Sequence, residues 1–197
     1  TGNRSGIIGK GQIIKILCIG DSSASGVGVE NIDQSLSGNL INNLKLNFKC
    51  KWKVVAKSGV NSGQLIDLLL LEKNQKFKFV LISIGMNDIT SGKSLIKFKK
   101  NLIKLENILS KKFSVDYFIY SGMPPVHKLK TVPNPLKSIL AIKALIFDKF
   151  LKVKCEKNIN YKYININNLS FEENMVAKDG FHPSENFYKI WSEEISN

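Results

Sequence analysis

The sequence predicts an α/β fold, with a five-stranded parallel sheet between two helical layers. Three observations lead there. Short, nearly continuous apolar runs alternate with longer stretches in which apolar residues recur at helical spacing. Each apolar run stops at a small or polar turn rich in Gly, Ser, Asn or Asp. Most links are short, so successive strands must be joined by right-handed crossovers through helices on both faces of one sheet.

Residues 13–19 are apolar except for Lys15 and end at Gly20-Asp21, the pattern of a strand buried on both faces. Leu36, Leu40, Leu44 and Phe48 then form a helical stripe, and residues 52–56 alternate into a second strand closed by Ser58-Gly59. A helix over 65–71 leads to a third strand over 77–84 ending at Gly85, and a longer helix covers 95–109. Residues 115–120 form a fourth strand, ending at Ser121-Gly122. An irregular stretch over 123–135 follows, carrying Pro124, Pro125, Pro133 and Pro135; a loop of that length in a compact domain is often a binding loop. A helix over 136–153, a fifth strand over 161–166 and a helix over 183–195 complete the chain. Numbered by appearance, the strands are expected in the order 2-1-3-4-5, a doubly wound, flavodoxin-like sheet.

At 197 residues with no internal repeat, the whole span 1–197 reads as one domain able to bury a full core. Hydrophobic residues at 43% and charged residues at 23% are near the globular average, and no apolar run approaches the roughly 20 residues that span a bilayer. The chain starts at Thr1 and not at Met, so an upstream signal or anchor is compatible with it and localisation stays open. Cys18, Cys50 and Cys155 are odd in number and have neither metal-ligand nor redox spacing, so no disulfide framework is implied. The net charge is +13. Its lysines are dispersed over most predicted helices among many Asn and Ile, which reads first as a solvated basic surface. A basic stripe with interleaved aromatics is absent, so no nucleic-acid partner is expected; weak association with an anionic membrane surface is compatible with the charge.

In open α/β sheets, sites form outside the carboxyl ends of the strands. Four segments of this chain should converge there: Gly20-Asp21-Ser22, Ser58-Gly59-Val60-Asn61, Gly85-Met86-Asn87-Asp88, and Asp179-Gly180-Phe181-His182-Pro183. Together they supply what acyl transfer needs: a hydroxyl nucleophile, an imidazole base, a carboxylate to orient it, and donors for an oxyanion. Ser22 follows a strand at a turn where its hydroxyl can stand proud and its own N–H can face an oxyanion. Gly59 offers an unobstructed N–H, and the Asn87 amide a third donor. His182 should project from a loop ahead of Pro183, with Asp179 folding back onto its Nδ1. The other histidine, His127, lies in the proline-bearing loop without a comparably placed acid. No metal or cofactor is called for by this chemistry. Each motif taken singly is a common turn or helix start; the convergence of all four gives them weight.

With these residues in place, the chain resembles the SGNH/GDSL hydrolase family over nearly its whole length. The four segments match the four motif blocks of that family in order. The resemblance implies the SGNH hydrolase fold, Ser22 as nucleophile, Asp179 and His182 as acid and base, and an oxyanion hole of Ser22, Gly59 and Asn87. The stretch from Gly20 to Val29, Ser121-Gly-Met-Pro-Pro125 and Asp179-Gly-Phe-His-Pro-Ser184 are similar to a subgroup of small bacterial esterases and lipases. Ser23 departs from the Leu of the name-giving motif, a position at which the family varies. The implied substrate is a small-molecule or lipid-like ester, with a small acetyl or short-chain ester as the default. Lysophospholipase, thioesterase and carbohydrate O-acetylesterase activities remain alternatives on the same fold. In the proline-bearing loop, Met123, Val126 and Leu129 are the candidate substrate-binding residues, with His127, Lys128 and Lys130 available to an anionic head group. The competing class is a non-catalytic module, either a flavodoxin-like phosphate binder, which would need no His182, or a basic nucleic-acid binder.

Overall fold

In a computed structural model, residues 2–129, 131–169 and 173–196 are described. The elements run β1 (Ser5–Ile8), β2 (Ile13–Gly20), α1 (Ser22–Ser25), α2 (Leu36–Leu44), β3 (Lys49–Ala56), α3 (Ser62–Leu71), β4 (Phe79–Ser83), α4 (Met86–Thr90), α5 (Leu95–Phe113), β5 (Tyr117–Ser121), α6 (Leu136–Glu156), β6 (Tyr161–Ile164) and α7 (Glu185–Ser196). The strands form one sheet in the order β1-β3-β2-β4-β5-β6. All neighbours are parallel except β1, which pairs antiparallel with β3 from Ser5↔Lys53 to Ile8↔Cys50.

The five parallel strands have the predicted order, and β1 is an addition. At four residues, with Gly6 inside and Ile7 and Ile8 exposed, β1 is too short to show a period and is held by the ladder of its neighbour. The central strand shows why the sheet is buried on both faces. Leu17 and Ile19 of β2 point into a core shared with α3, α5 and α6, while Ile16 and Cys18 point into a second core against α2 and α7. The helices therefore form two layers, three long ones on one face and two on the other. The three cysteines, Cys18, Cys50 and Cys155, are all free and buried.

Boundaries shift where capping decides them. Helix α3 begins at Ser62 because Asn61 and Gln64 form a reciprocal cap, each side chain accepting a backbone N–H of the other's segment. The last helix begins at Glu185 and not at Pro183. Ser184 accepts the Phe187 N–H with its hydroxyl, and Pro183 is spent in an isolated bridge to Val176.

Candidate active site

The turn after β2 is built on a close approach. Gly20 has φ 154°, and a Cβ there would run into the Ser83 carbonyl oxygen of β4. That carbonyl accepts the Asp21 N–H at 3.1 Å, so the chain leaves the sheet in a fixed direction and enters α1 at Ser22. Asp21 caps this short helix through the Ser23 N–H at 3.3 Å. Its carboxyl is pushed up to about 7, first by burial and further by the Asp88 carboxylate, against the pull of the Ser23 N–H. The Ser22 hydroxyl has no protein partner among the described residues, and the residue is half-buried at the rim of a cleft.

The segments after β3 and β4 are tied together by a buried network. Asp88, fully buried, accepts the Ser62 N–H at 2.8 Å and the Ser62 hydroxyl at 2.6 Å, and Asn101 of α5 donates to that hydroxyl at 2.8 Å. The neighbouring Asn87 side chain donates one amide hydrogen to the Val60 carbonyl at 3.0 Å, leaving its second N–H without a protein partner among the described residues. Gly59 is exposed in the turn just before Val60. A buried carboxylate that holds two donors from one segment ties the turn after β3 to the turn after β4, and so Gly59 to Asn87.

The histidine loop is shaped by one carboxylate. Asp179 Oδ1 accepts the N–H groups of Phe181 and His182, each at 2.9 Å, and Oδ2 meets His182 Nδ1 at 2.6 Å. Partial burial acts to raise the Asp179 carboxyl, but the ring and the two backbone N–H groups outweigh it and hold it down at about 2. An ionised carboxylate only accepts, so Nδ1 carries a proton, and in the neutral imidazole Nε2 is the nitrogen with the lone pair. Nε2 has no protein partner among the described residues. The loop is clamped by Ala177 N–H to the His182 carbonyl at 2.8 Å and Ser184 N–H to the Met175 carbonyl at 3.0 Å. It also packs against the segment that follows Ser22: a Cβ on Gly28 would run into the Pro183 carbonyl oxygen, and Tyr188 of α7 donates its hydroxyl to the Val27 carbonyl at 2.7 Å.

Ser22 and His182 both line one cleft of about 700 Å³, counting its open mouth. Its polar side is formed by Asp21, Ser22, Ser23, Ser83 and His182, and its apolar side includes Ile84, Met86, Met123, Leu129, Met175 and Phe187. Trp191 also lines it, and its indole N–H is buried without a protein partner among the described residues. Of the expected substrate-binding residues, Met123 and Leu129 line this cleft. Val126 does not: it is buried in the core and faces a small separate cavity that His127 also lines. Gly59 and Asn87 lie outside the apolar lining. His127 lines that separate cavity and not the cleft that His182 lines, and Lys130 is outside the described residues.

Sequence reasoning missed the residues that hold the cleft wall. Asp148 of α6 accepts the Met123 N–H at 2.7 Å and the Tyr163 hydroxyl at 2.8 Å, and Asn167 donates to the Met123 carbonyl at 3.2 Å. The one available signal was an acid at position 148 within an otherwise basic and apolar helix. Met175, Phe187 and Trp191 gave no signal, because an apolar stripe on a closing helix reads the same whether it faces core or cleft.

A doubly wound α/β domain with an aspartate-bound imidazole and a serine on one apolar cleft defines the class of ester hydrolases. The model of the GDSL-like lipase/acylhydrolase family matches residues 16–195. The chain belongs to that family, and it is an ester hydrolase of the GDSL class. No curated protein matches it. Among solved structures it is similar to a lipolytic G-D-S-L family protein from Veillonella parvula (16% identity, 92% of this chain and 95% of that one, TM-score 0.68). A lipase from a goat rumen metagenome is similar at 17% identity, with the same coverages and TM-score 0.69. The psychrotrophic esterase EstA from Pseudoalteromonas sp., solved inhibited by monoethylphosphonate, is similar at 17% identity, 92% and 93% coverage and TM-score 0.62. At these identities the likeness speaks to the fold.

Proposed function

We propose that the chain is a single-domain serine esterase that hydrolyses carboxylic esters through an acyl-enzyme on Ser22. The observation that carries this is the 2.6 Å Asp179–His182 pair, whose ionised carboxylate leaves Nε2 basic on the wall of the cleft that Ser22 also lines. In the first half-reaction Ser22 Oγ attacks the ester carbonyl carbon while its proton passes to His182 Nε2. The developing oxyanion is held by the Ser22 and Gly59 N–H groups and by the second amide hydrogen of Asn87. Collapse breaks the C–O bond, and the imidazolium returns its proton to the departing alcohol. Water then attacks the acyl-enzyme with His182 again as base, releasing the acid and regenerating Ser22. Asp179 stays ionised throughout, holding the ring and stabilising the imidazolium.

The substrate follows from the lining. Met123, Leu129, Met175 and Phe187 form an apolar wall that suits an uncharged acyl chain of several carbons better than a sugar, which would need polar partners the wall does not offer. A lysophospholipid is the second reading, favoured by this wall together with the basic surface. The test is labelling with a fluorophosphonate followed by turnover of p-nitrophenyl esters. Ser22→Ala should lose the label and lower turnover by about 10³-fold or more. A labelled variant, or one with wild-type turnover, refutes the assignment.

A further inference from the structure

Helix α6 has two apolar faces. One, Leu140, Ala144, Phe147, Leu151 and Cys155, is buried against the sheet. The opposite face of a surface helix should be polar. Here it carries Ile139, Ile142, Leu145, Ile146 and Val153, between 38% and 59% exposed. Residues 139, 142, 146 and 153 follow the i, i+3, i+7, i+14 spacing of a single stripe, and Leu145 widens it. Scattered apolar residues need no explanation on a surface, but a continuous stripe of branched side chains does.

The charge around the stripe is positive apart from Glu156 at the end of α6. Helices α5 and α6 sit on the same side of the sheet, joined by the Phe98–Phe147 ring contact at 4.9 Å and by Lys99 Nζ 4.7 Å above the Phe150 ring. Between them they carry eleven lysines and three carboxylates. Two of the three carboxylates face inward: Glu106 pairs with Lys154 at 2.9 Å and with the Tyr120 hydroxyl, and Asp148 is held by Tyr163 and the Met123 N–H. Lys149 and Lys152 stand on the apolar face itself, so a second copy docked there would bring like charges together. An anionic surface would take both the stripe and its lysines.

We propose that the outer face of α6 is a docking surface for an anionic lipid bilayer, with Ile139, Ile142, Leu145 and Ile146 in the headgroup–acyl boundary and the lysines of α5 and α6 against lipid phosphates. An in-plane helix of this kind buries its apolar face by about 5–10 Å. The wall that contributes Met123 and Leu129 to the cleft runs directly into the first turn of α6. Docking therefore puts the end of the helix nearest the cleft at the membrane, where apolar esters concentrate.

The inference stands apart from the esterase reading, since Ser22→Ala should dock as well as wild type. It is tested by flotation with vesicles of phosphatidylcholine alone or with about 30% phosphatidylglycerol, the anionic component supplying the field that attracts lysines. Wild type should float only with the anionic vesicles and be released by high salt. Ile142→Glu/Ile146→Glu and Lys149→Glu/Lys152→Glu should each lower binding by about tenfold or more while keeping the wild-type melting temperature, because all four positions are exposed. Failure of wild type to bind anionic vesicles overturns the proposal, as does undiminished binding by both variants. A wild-type dimer in light scattering that Ile142→Glu/Ile146→Glu converts to monomer also overturns it, assigning the face to a second copy.

Discussion

The buried Asp21 should make the stability of this protein fall as pH rises from about 4 to about 7, and Asp21→Asn should remove that dependence. Asp21 sits at the floor of the cleft with one backbone donor, Ser23 N–H, and with the Asp88 carboxylate nearby. Burial first, and Asp88 second, lift its carboxyl from 3.8 to about 7. A carboxyl raised on folding binds its proton more tightly in the native state. Its contribution is therefore fully present below the unfolded value near 3.8 and is lost as pH rises through the folded value near 7. At about 1.4 kcal/mol per pKa unit, the loss between those limits is on the order of 4 kcal/mol. Asparagine keeps the acceptor oxygen for Ser23 and cannot ionise, so the variant should gain on wild type by a comparable amount at pH 8 and match it near pH 4. Urea unfolding at pH 4, 5, 6, 7 and 8 measures both proteins. All other titrating groups are common to the pair, so the difference between the curves isolates Asp21. Parallel curves would refute the reasoning, and a variant that lost stability at pH 8 would show that Asp21 is ionised and held by a donor the hydrogen-bond pattern does not contain.

Three further outcomes follow from the proposed mechanism. Asn87→Ala should lower kcat by about 10²- to 10³-fold with little change in KM, since its free amide hydrogen would act on charge that develops only in the transition state; an unchanged kcat returns Asn87 to a purely structural tie to Val60. Asp179→Asn should leave the melting temperature near that of wild type, as the side chain is half exposed, yet lower kcat by about 10³-fold or more because the ring loses its fixed tautomer; His127→Ala should leave kcat unchanged, and the reverse pattern would mean the base is misassigned. Leu129→Ala should change kcat/KM unequally across p-nitrophenyl esters from acetyl to decanoyl, with the longer chains losing most; a uniform change would move acyl recognition away from this wall.

What the sequence made legible is what depends on local pattern. The strand runs at 13–19 and 115–120 were readable because a strand buried on both faces must be apolar at nearly every position, and parallel pairing between helical layers followed from short right-handed crossovers; the order 2-1-3-4-5 was an expectation that no single residue dictated. The pairing of Asp179 with His182 was readable because three residues of loop ahead of a proline leave the carboxylate little choice but to fold back on the ring. What was not readable depends on contacts distant in sequence. β1 exists because β3 offers an edge, and nothing in Ser-Gly-Ile-Ile announces it.

Val126 and Leu129 illustrate the limit within a single loop. Both are apolar, both are buried, and they lie three residues apart, yet one faces the core with a small cavity and the other faces the cleft. The loop begins at Met123, whose backbone is gripped by Asp148 on α6 and by Asn167 beyond β6, while Tyr163 on β6 holds the Asp148 carboxylate in place. The same constraint explains why α6 carries an acid at position 148 amid lysines and apolar residues. One turn of that helix holds the cleft wall, while the face opposite its buried stripe is left to meet whatever lies outside. The proposed acyl wall and the proposed docking face thus fall on opposite sides of one helix, and an alanine at 148 should disturb turnover of long-chain esters without altering vesicle binding.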